Sequence, residues 1–154
     1  MADVETGVLY VDTSALVKLV VREAETDVLE EELRPWNDLA TSVITSVELS
    51  RAVARARTDS AAVIADEYTI LGVLASVAEI PLSDEVRASA SALGPVELRT
   101  LDAIHLASAI ALGPDLAAIL TYDARMQRAA SEHDLSILAP EPARGEGYEQ
   151  PEAD

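Results

Sequence analysis

Apolar residues along this chain follow two spacings, and each spacing predicts a different element. Val8-Leu9-Tyr10-Val11 is a continuous apolar run with β-branched members. Such a run reads as a strand buried on both faces. A helical pattern follows over 13–21, and a second, acidic helix over 24–33 stops before Pro35, because the residue preceding proline disfavours helix. A short strand is predicted over 39–44 and a helix over 45–57. Thr58-Asp59-Ser60 breaks that helix, and another runs on to about residue 77. In the latter, Ile64, Tyr68, Leu71 and Ala75 make an apolar stripe at helical period. The two are expected to pair as an α-hairpin.

Further along, Ile80-Pro81-Leu82 is expected to be a brief edge strand, since proline cannot donate to a ladder. Ser83 caps a helix that Gly94-Pro95 ends. A helix over 100–112, a buried strand over 117–120, a helix over 123–133 and a last strand over 135–138 complete the pattern. Strands alternating with helices predict a parallel sheet with helices on both faces. One domain over 1–139 is expected. Residues 140–154 are rich in Pro, Gly and Glu with little to bury, so a loose or disordered tail is expected there.

Composition narrows the chemistry. The chain has 154 residues, enough for one real core, which must be Leu, Val, Ile and Ala because aromatics are 3% and Phe is absent. Without Cys there is neither a disulfide framework nor a thiolate metal site. The acidic start is unlike a secretory signal peptide, and no apolar run approaches the roughly 18 residues of a membrane span. A cytoplasmic protein is expected. The net charge of −17 repels phosphates taken globally. Its distribution is uneven: Arg51, Arg55 and Arg57 follow Glu48, Arg99 precedes Asp102, and Arg125 and Arg128 follow Asp123. Either ordinary pairing on solvated helices or a functional role accounts for that grouping.

Four acids are the candidate chemistry. Asp12 ends the first strand, where open α/β sheets place their ligand crevice. Asp123 follows the apolar run Ala118-Ile119-Leu120 by way of Thr121-Tyr122, so parallel strands would bring both carboxylates to one sheet edge. Glu48 and Asp102 sit in the first turns of their helices. Each acid also has a plain structural role available. Asp12 can cap the following helix, Glu48 can close a Thr45-x-x-Glu48 capping box, and Asp102 can favour the helix dipole. The helix around Asp102 is apolar almost all round, and its polar residues Asp102, His105 and Ser108 share one face. His105 is better placed to support a carboxylate, or to lie satisfied in the core, than to ligate a metal itself.

Two unit charges about 4 Å apart cost about 4 kcal/mol at an effective dielectric near 20. Several converging carboxylates therefore require a counter-charge. An all-oxygen donor set suits Mg²⁺ or Mn²⁺ rather than Zn²⁺. Such an ion lowers the pKa of bound water and clamps phosphoryl oxygens, which is the chemistry of phosphodiester hydrolysis.

Val11-Asp12-Thr13-Ser14-Ala15-Leu16, Thr45-x-x-Glu48-x-x-Arg51, Leu101-Asp102-Ala103-Ile104-His105 and Leu120-Thr121-Tyr122-Asp123 together resemble the PIN-domain ribonucleases. More closely, they resemble the VapC toxins of bacterial type II toxin–antitoxin pairs. The resemblance spans 8–139. It implies an α/β class, three-layer α/β/α PIN-like fold around a central parallel sheet of four or five strands, and a Mg²⁺-dependent endoribonuclease. It implies that Asp12, Glu48, Asp102 and Asp123 hold the metal and activate water, with Ser14 and Thr121 orienting carboxylates. It also implies a homodimer and a VapB-like antitoxin that covers the groove. Arg51 and Arg55 are expected on the same helix face as Glu48, beside the metal, with Arg51 supporting RNA cleavage. With so few aromatics for base stacking, a particular folded RNA recognised by shape and a few arginines is expected, not general single-strand binding.

Two other readings stay open at this level. A phosphatase or phosphoacceptor domain would use Asp12 as nucleophile. However, Lys18 lies inside a helix, not at a strand end, and the position two after Asp12 is Ser14. A non-catalytic PIN-like protein- or RNA-binding module is the second alternative.

Overall fold

The computed structural model describes residues 5–143. Among them five strands form, β1 (Glu5–Val11), β2 (Trp36–Ser42), β3 (Ala78–Ile80), β4 (Leu116–Leu120) and β5 (Ile137–Leu138). All pairs are parallel, in the order β3-β2-β1-β4-β5. Seven helices alternate with them: α1 (Thr13–Val20), α2 (Thr26–Leu33), α3 (Thr45–Ala56), α4 (Glu67–Ala75), α5 (Asp84–Ala92), α6 (Thr100–Ile110) and α7 (Ala124–Glu132).

Strand side chains alternate between faces, and so divide the core in two. Leu9, Val11, Ala118 and Leu120 face one cluster with Leu16 and Val20 of α1, Leu29 of α2 and Leu49 and Val53 of α3. Tyr10 and Ile119 face the other, with Leu106 and Ala109 of α6 and Met126, Ala129 and Ala130 of α7. The result is three layers, helix–sheet–helix, as predicted. Each fully buried leucine contributes about 1.5–3 kcal/mol of transfer free energy. At Gly7, φ is +98° and a Cβ would stand 3.0 Å from the Asp115 carbonyl oxygen. Only glycine fits this close approach of β1 to the start of β4.

Several boundaries depart from the pattern. β2 is shifted towards the N-terminus because Ile44 already leads into α3. β3 ends at Ile80 and lies at the sheet edge, with Pro81 just outside it, and β5 is shorter than expected. α4 starts only after Asp66, whose side chain caps it by accepting from the Thr69 amide at 2.7 Å. Ile64 instead forms an isolated antiparallel bridge with Val21. The predicted stripe is therefore the wrong face: Tyr68 is 89% exposed and Leu71 is exposed, while Ile70, Val73 and Leu74 pack on the core. The expected α-hairpin does not form, because α3 and α4 each pack on α1. Among the described residues no helix is long and apolar enough to cross a membrane. The loose tail expected over 140–154 falls largely outside the described residues, although the Pro140 carbonyl accepts from the Tyr122 hydroxyl at 2.8 Å.

Candidate functional site

β1 and β4 are parallel neighbours, so Asp12 and Asp123 emerge at the same edge of the sheet. The Asp12 amide donates to the Leu120 carbonyl at 2.9 Å, which extends the ladder one residue past β1. Asp12 is 6% exposed. Its Oδ2 accepts from the Ser14 hydroxyl at 2.7 Å and the Thr121 hydroxyl at 2.9 Å. The Ser14 Oγ in turn accepts from the Tyr122 amide at 2.9 Å. Asp12 also caps α1, yet its contact with the Ser14 amide is long, at 3.4 Å. The hydroxyls of Ser14 and Thr121 hold this carboxylate more closely than the cap does.

Glu48 is not the acid of a capping box. Ile44 is the cap of α3 and contributes no side-chain bond. The Thr45 hydroxyl is buried against Thr41 Oγ1 at 2.7 Å, and Thr41 donates to the Val11 carbonyl. Glu48 Oε1 turns inward and accepts from Thr13 Oγ1 at 2.8 Å and from His105 Nε2 at 2.6 Å. Burial alone pushes Glu48 up, but the His105 bond, its charge and the Thr13 hydroxyl hold the group below the ordinary glutamate value. On His105, burial acts downward; the Glu48 bond and the charges of Asp12, Glu48 and Asp102 outweigh it and raise the imidazole. His105 Nδ1 lies 2.7 Å from the Tyr10 hydroxyl and 3.5 Å from Asp12 Oδ1.

Asp102 has a different environment. Its Oδ2 is buried and has no hydrogen-bond partner among the described residues. The nearest cation, Arg125 Nε, stands 3.9 Å away, too far for a hydrogen bond. Burial, then the charges of Asp123 and Asp12, raise the Asp102 carboxyl above the ordinary aspartate value. Asp123 caps α7, accepting from the Arg125 and Met126 amides at 2.8 and 3.1 Å. Its other oxygen is 3.9 Å from Arg125 Nη2.

All four acids line one cleft of about 220 Å³ together with His105 and Arg55. The donors are carboxylates and hydroxyls, and one buried carboxylate oxygen lacks any partner; this chemistry fits a hard divalent cation. Among the described residues, however, no group of three or more His, Asp or Glu side chains is close enough, as placed, to hold an ion. Hydroxyls, amides and His105 already occupy oxygens of Asp12, Glu48 and Asp123. The cleft brings the charges together without closing them into a ligand shell.

Some placements differ from the sequence-based expectation. Of the two arginines expected beside Glu48, Arg55 lines the acid cleft, whereas Arg51 borders an adjoining hollow with Arg55. Along a helix, position 55 completes two turns from Glu48, and Arg51 drifts off that face. Ser108 shares a face with His105, and its hydroxyl donates to the Ile104 carbonyl at 2.7 Å. Lys18 is engaged with Glu23 and Glu25, so it does not supply the lysine a phosphoacceptor site needs. Thr13 and Tyr10 join the site without having been predicted from the sequence. The one available signal for Thr13 is its place between Asp12 and Ser14 at a strand-to-helix junction.

A family model described as PIN domain matches residues 9–132. Ribonuclease VapC46 of Mycobacterium tuberculosis is 39% identical over 132 residues, covering 86% of this chain and 97% of that protein. Ribonuclease VapC47 of the same species is 38% identical over 144 residues, covering 86% and 96%. Ribonuclease VapC35, also from that species, is 38% identical over 140 residues, covering 88% and 99%. With its parallel sheet, its acid cleft and near full-length relatives of this kind, the chain belongs to the PIN-domain family, among its VapC-type members.

Proposed function

We propose that this protein is a divalent-metal-dependent endoribonuclease, the toxin of a type II toxin–antitoxin pair. The single observation that carries the reading is Asp102. A buried carboxylate oxygen with no partner among the described residues, in a carboxyl raised by burial and then by two neighbouring carboxylates, calls for a cation at that point. The names of the relatives support ribonuclease as the activity. Asp12, Glu48, Asp102 and Asp123 would hold Mg²⁺, with Mn²⁺ as a substitute. When bound, the ion supplies Lewis acidity to water and to a phosphoryl oxygen.

The chain's own residues do the rest by positioning. Ser14 and Thr121 fix Oδ2 of Asp12, while Oδ1 lies 3.5 Å from His105 Nδ1. Thr13 and His105 hold Glu48 at the cleft wall. Arg125 stands beside Asp102 and Asp123 and offsets part of their repulsion. Arg55 is available at the rim for a phosphate. The same reading carries a folded RNA as substrate, a VapB-like antitoxin as partner, a homodimer and a cytoplasmic location. An acidic protein suits a basic antitoxin segment electrostatically.

The test is brief induction of the protein in cells, followed by sequencing of new RNA 5′ ends, beside an Asp12→Asn control. Discrete new ends with the parent and none with the variant are expected. Mn²⁺ titration calorimetry on the same two proteins should show binding in the parent alone. Ion binding without any new RNA ends would instead mark a non-catalytic PIN-like module.

A further inference from the structure

With 11 Lys and Arg residues against 28 acids, the places where cations stand unpaired carry information. Lys18, Arg22 and Arg87 are each paired with an acid. Arg34, Arg51, Arg55, Arg57, Arg99 and Arg128 make no ion pair among the described residues. Of these, Arg51 and Arg55 stand one turn apart on α3 and share a hollow of about 240 Å³. Arg55 also lines the acid cleft, so hollow and cleft adjoin through that side chain. A second hollow of about 320 Å³ contains Arg125 and Arg128 of α7. Arg125 reaches from it to Asp102 and Asp123.

Topology sets these two pairs apart. α3 follows β2 and α7 follows β4, and those strands flank β1 on its two sides. The arginine pairs therefore stand on opposite sides of Asp12. We propose that an RNA strand crosses the acid cleft from one pair to the other, its phosphates anchored by Arg51 and Arg55 on one flank and by Arg125 and Arg128 on the second. This rests on the ribonuclease reading and adds the path of the substrate.

The physical need for such a path is clear. A polyanion cannot lie over four carboxylates in a chain of charge −17 unless cations flank them closely. At physiological salt, charges beyond about 8 Å are largely screened, so local arginines outweigh the distant acids. The guanidinium fork also matches phosphate oxygens. Glu97 and Glu132 share the α7 hollow, so that flank is the weaker anchor.

The experiment measures RNA binding by anisotropy from about 50 to about 300 mM KCl. An Asp12→Asn background prevents cleavage, and the RNA is one that the parent cuts. The proteins are that background alone, with Arg51→Gln/Arg55→Gln, with Arg125→Gln/Arg128→Gln, and with Arg87→Gln as control. Where the folded RNA lays a single-stranded segment across the cleft, each lost phosphate contact lowers the slope of log affinity against log salt by about 0.7. The expected loss is about 1.4 for the α3 pair, at least about 0.7 for the α7 pair, and none for the control. Unchanged slopes in both pairs, or a loss on one flank only, overturn the crossing path while the parent still cleaves. A parent that neither binds nor cuts RNA overturns the ribonuclease reading and the path with it.

Discussion

His105 Nε2 lies 2.6 Å from Glu48 Oε1, joining residues from α6 and α3 across the cleft. A carboxylate only accepts, so Nε2 carries the hydrogen and Nδ1 is left to face the Tyr10 hydroxyl at 2.7 Å. Glu48 thereby owes its inward orientation to two partners outside its own helix, His105 and Thr13. Truncating one member of a buried charge pair strands the other. We expect His105→Ala to lose about 2–4 kcal/mol of stability in urea unfolding, discounted from a fully buried pair because Glu48 is half-buried. His105→Gln, which can still donate to Glu48, should lose less.

The same pair sets a pH dependence for the protein in chelator. The folded His105 value lies above its usual 6.5, so its contribution is fully present below about pH 6.5 and fades as pH rises through the folded value. Glu48 lies below its usual 4.5, so its contribution is present above about pH 4.5 and fades as pH falls through the folded value. The pair therefore stabilises most between those limits. Melting temperatures of the parent should decline from pH 6.5 towards alkaline pH. The His105→Gln protein should show a flatter profile there; an equally steep one would remove the claim.

Asp102 should behave in the opposite sense to an ordinary ion-paired acid. Its folded carboxyl is raised by burial and then by Asp123 and Asp12, so ionisation weakens the fold once pH exceeds the ordinary aspartate value. In chelator, Asp102→Asn is expected to be more stable than the parent by about 1 kcal/mol, a rise of about 2–4 °C in melting temperature. Cleavage should nevertheless be lost. A destabilised variant would contradict the repulsion between Asp102 and its neighbouring carboxylates.

Adding Mg²⁺ should reverse that ranking. A ligand that binds only the folded state stabilises by about 2.7 kcal/mol at a hundredfold excess over its Kd. The parent should melt higher in Mg²⁺ than in chelator, and Asp12→Asn and Asp102→Asn should not respond. Equal shifts in all three proteins would place the ion elsewhere.

Thr13→Val keeps the shape of the side chain and removes the hydroxyl that donates to Glu48. One neutral-to-charged hydrogen bond is worth about 1.5–3 kcal/mol, so a loss at the lower end is expected in urea unfolding. If Thr13 positions Glu48, cleavage should fall about tenfold or more, with Asp12→Asn as the inactive reference. Unaltered cleavage would make Thr13 a packing residue only.

Much of this molecule is legible locally. Apolar runs closed by an acid locate β1 with Asp12 and β4 with Asp123, because burial on both faces leaves a run that needs no partner to be recognised. From these the three layers and the shared sheet edge follow. What the residues in order do not decide is the competition between local and distant partners. Thr45-x-x-Glu48 is a sound capping box in isolation, yet Thr41 takes the Thr45 hydroxyl and His105, 57 positions away, takes Glu48. Likewise the helical stripe through Tyr68 is sound by period, but α4 starts late and turns Ile70 and Val73 to the core instead. Local propensity differences are worth tenths of a kcal/mol to about 1, whereas a buried charged hydrogen bond or an apolar face against the sheet is worth more. Only the packed chain brings those stronger partners within reach of one another.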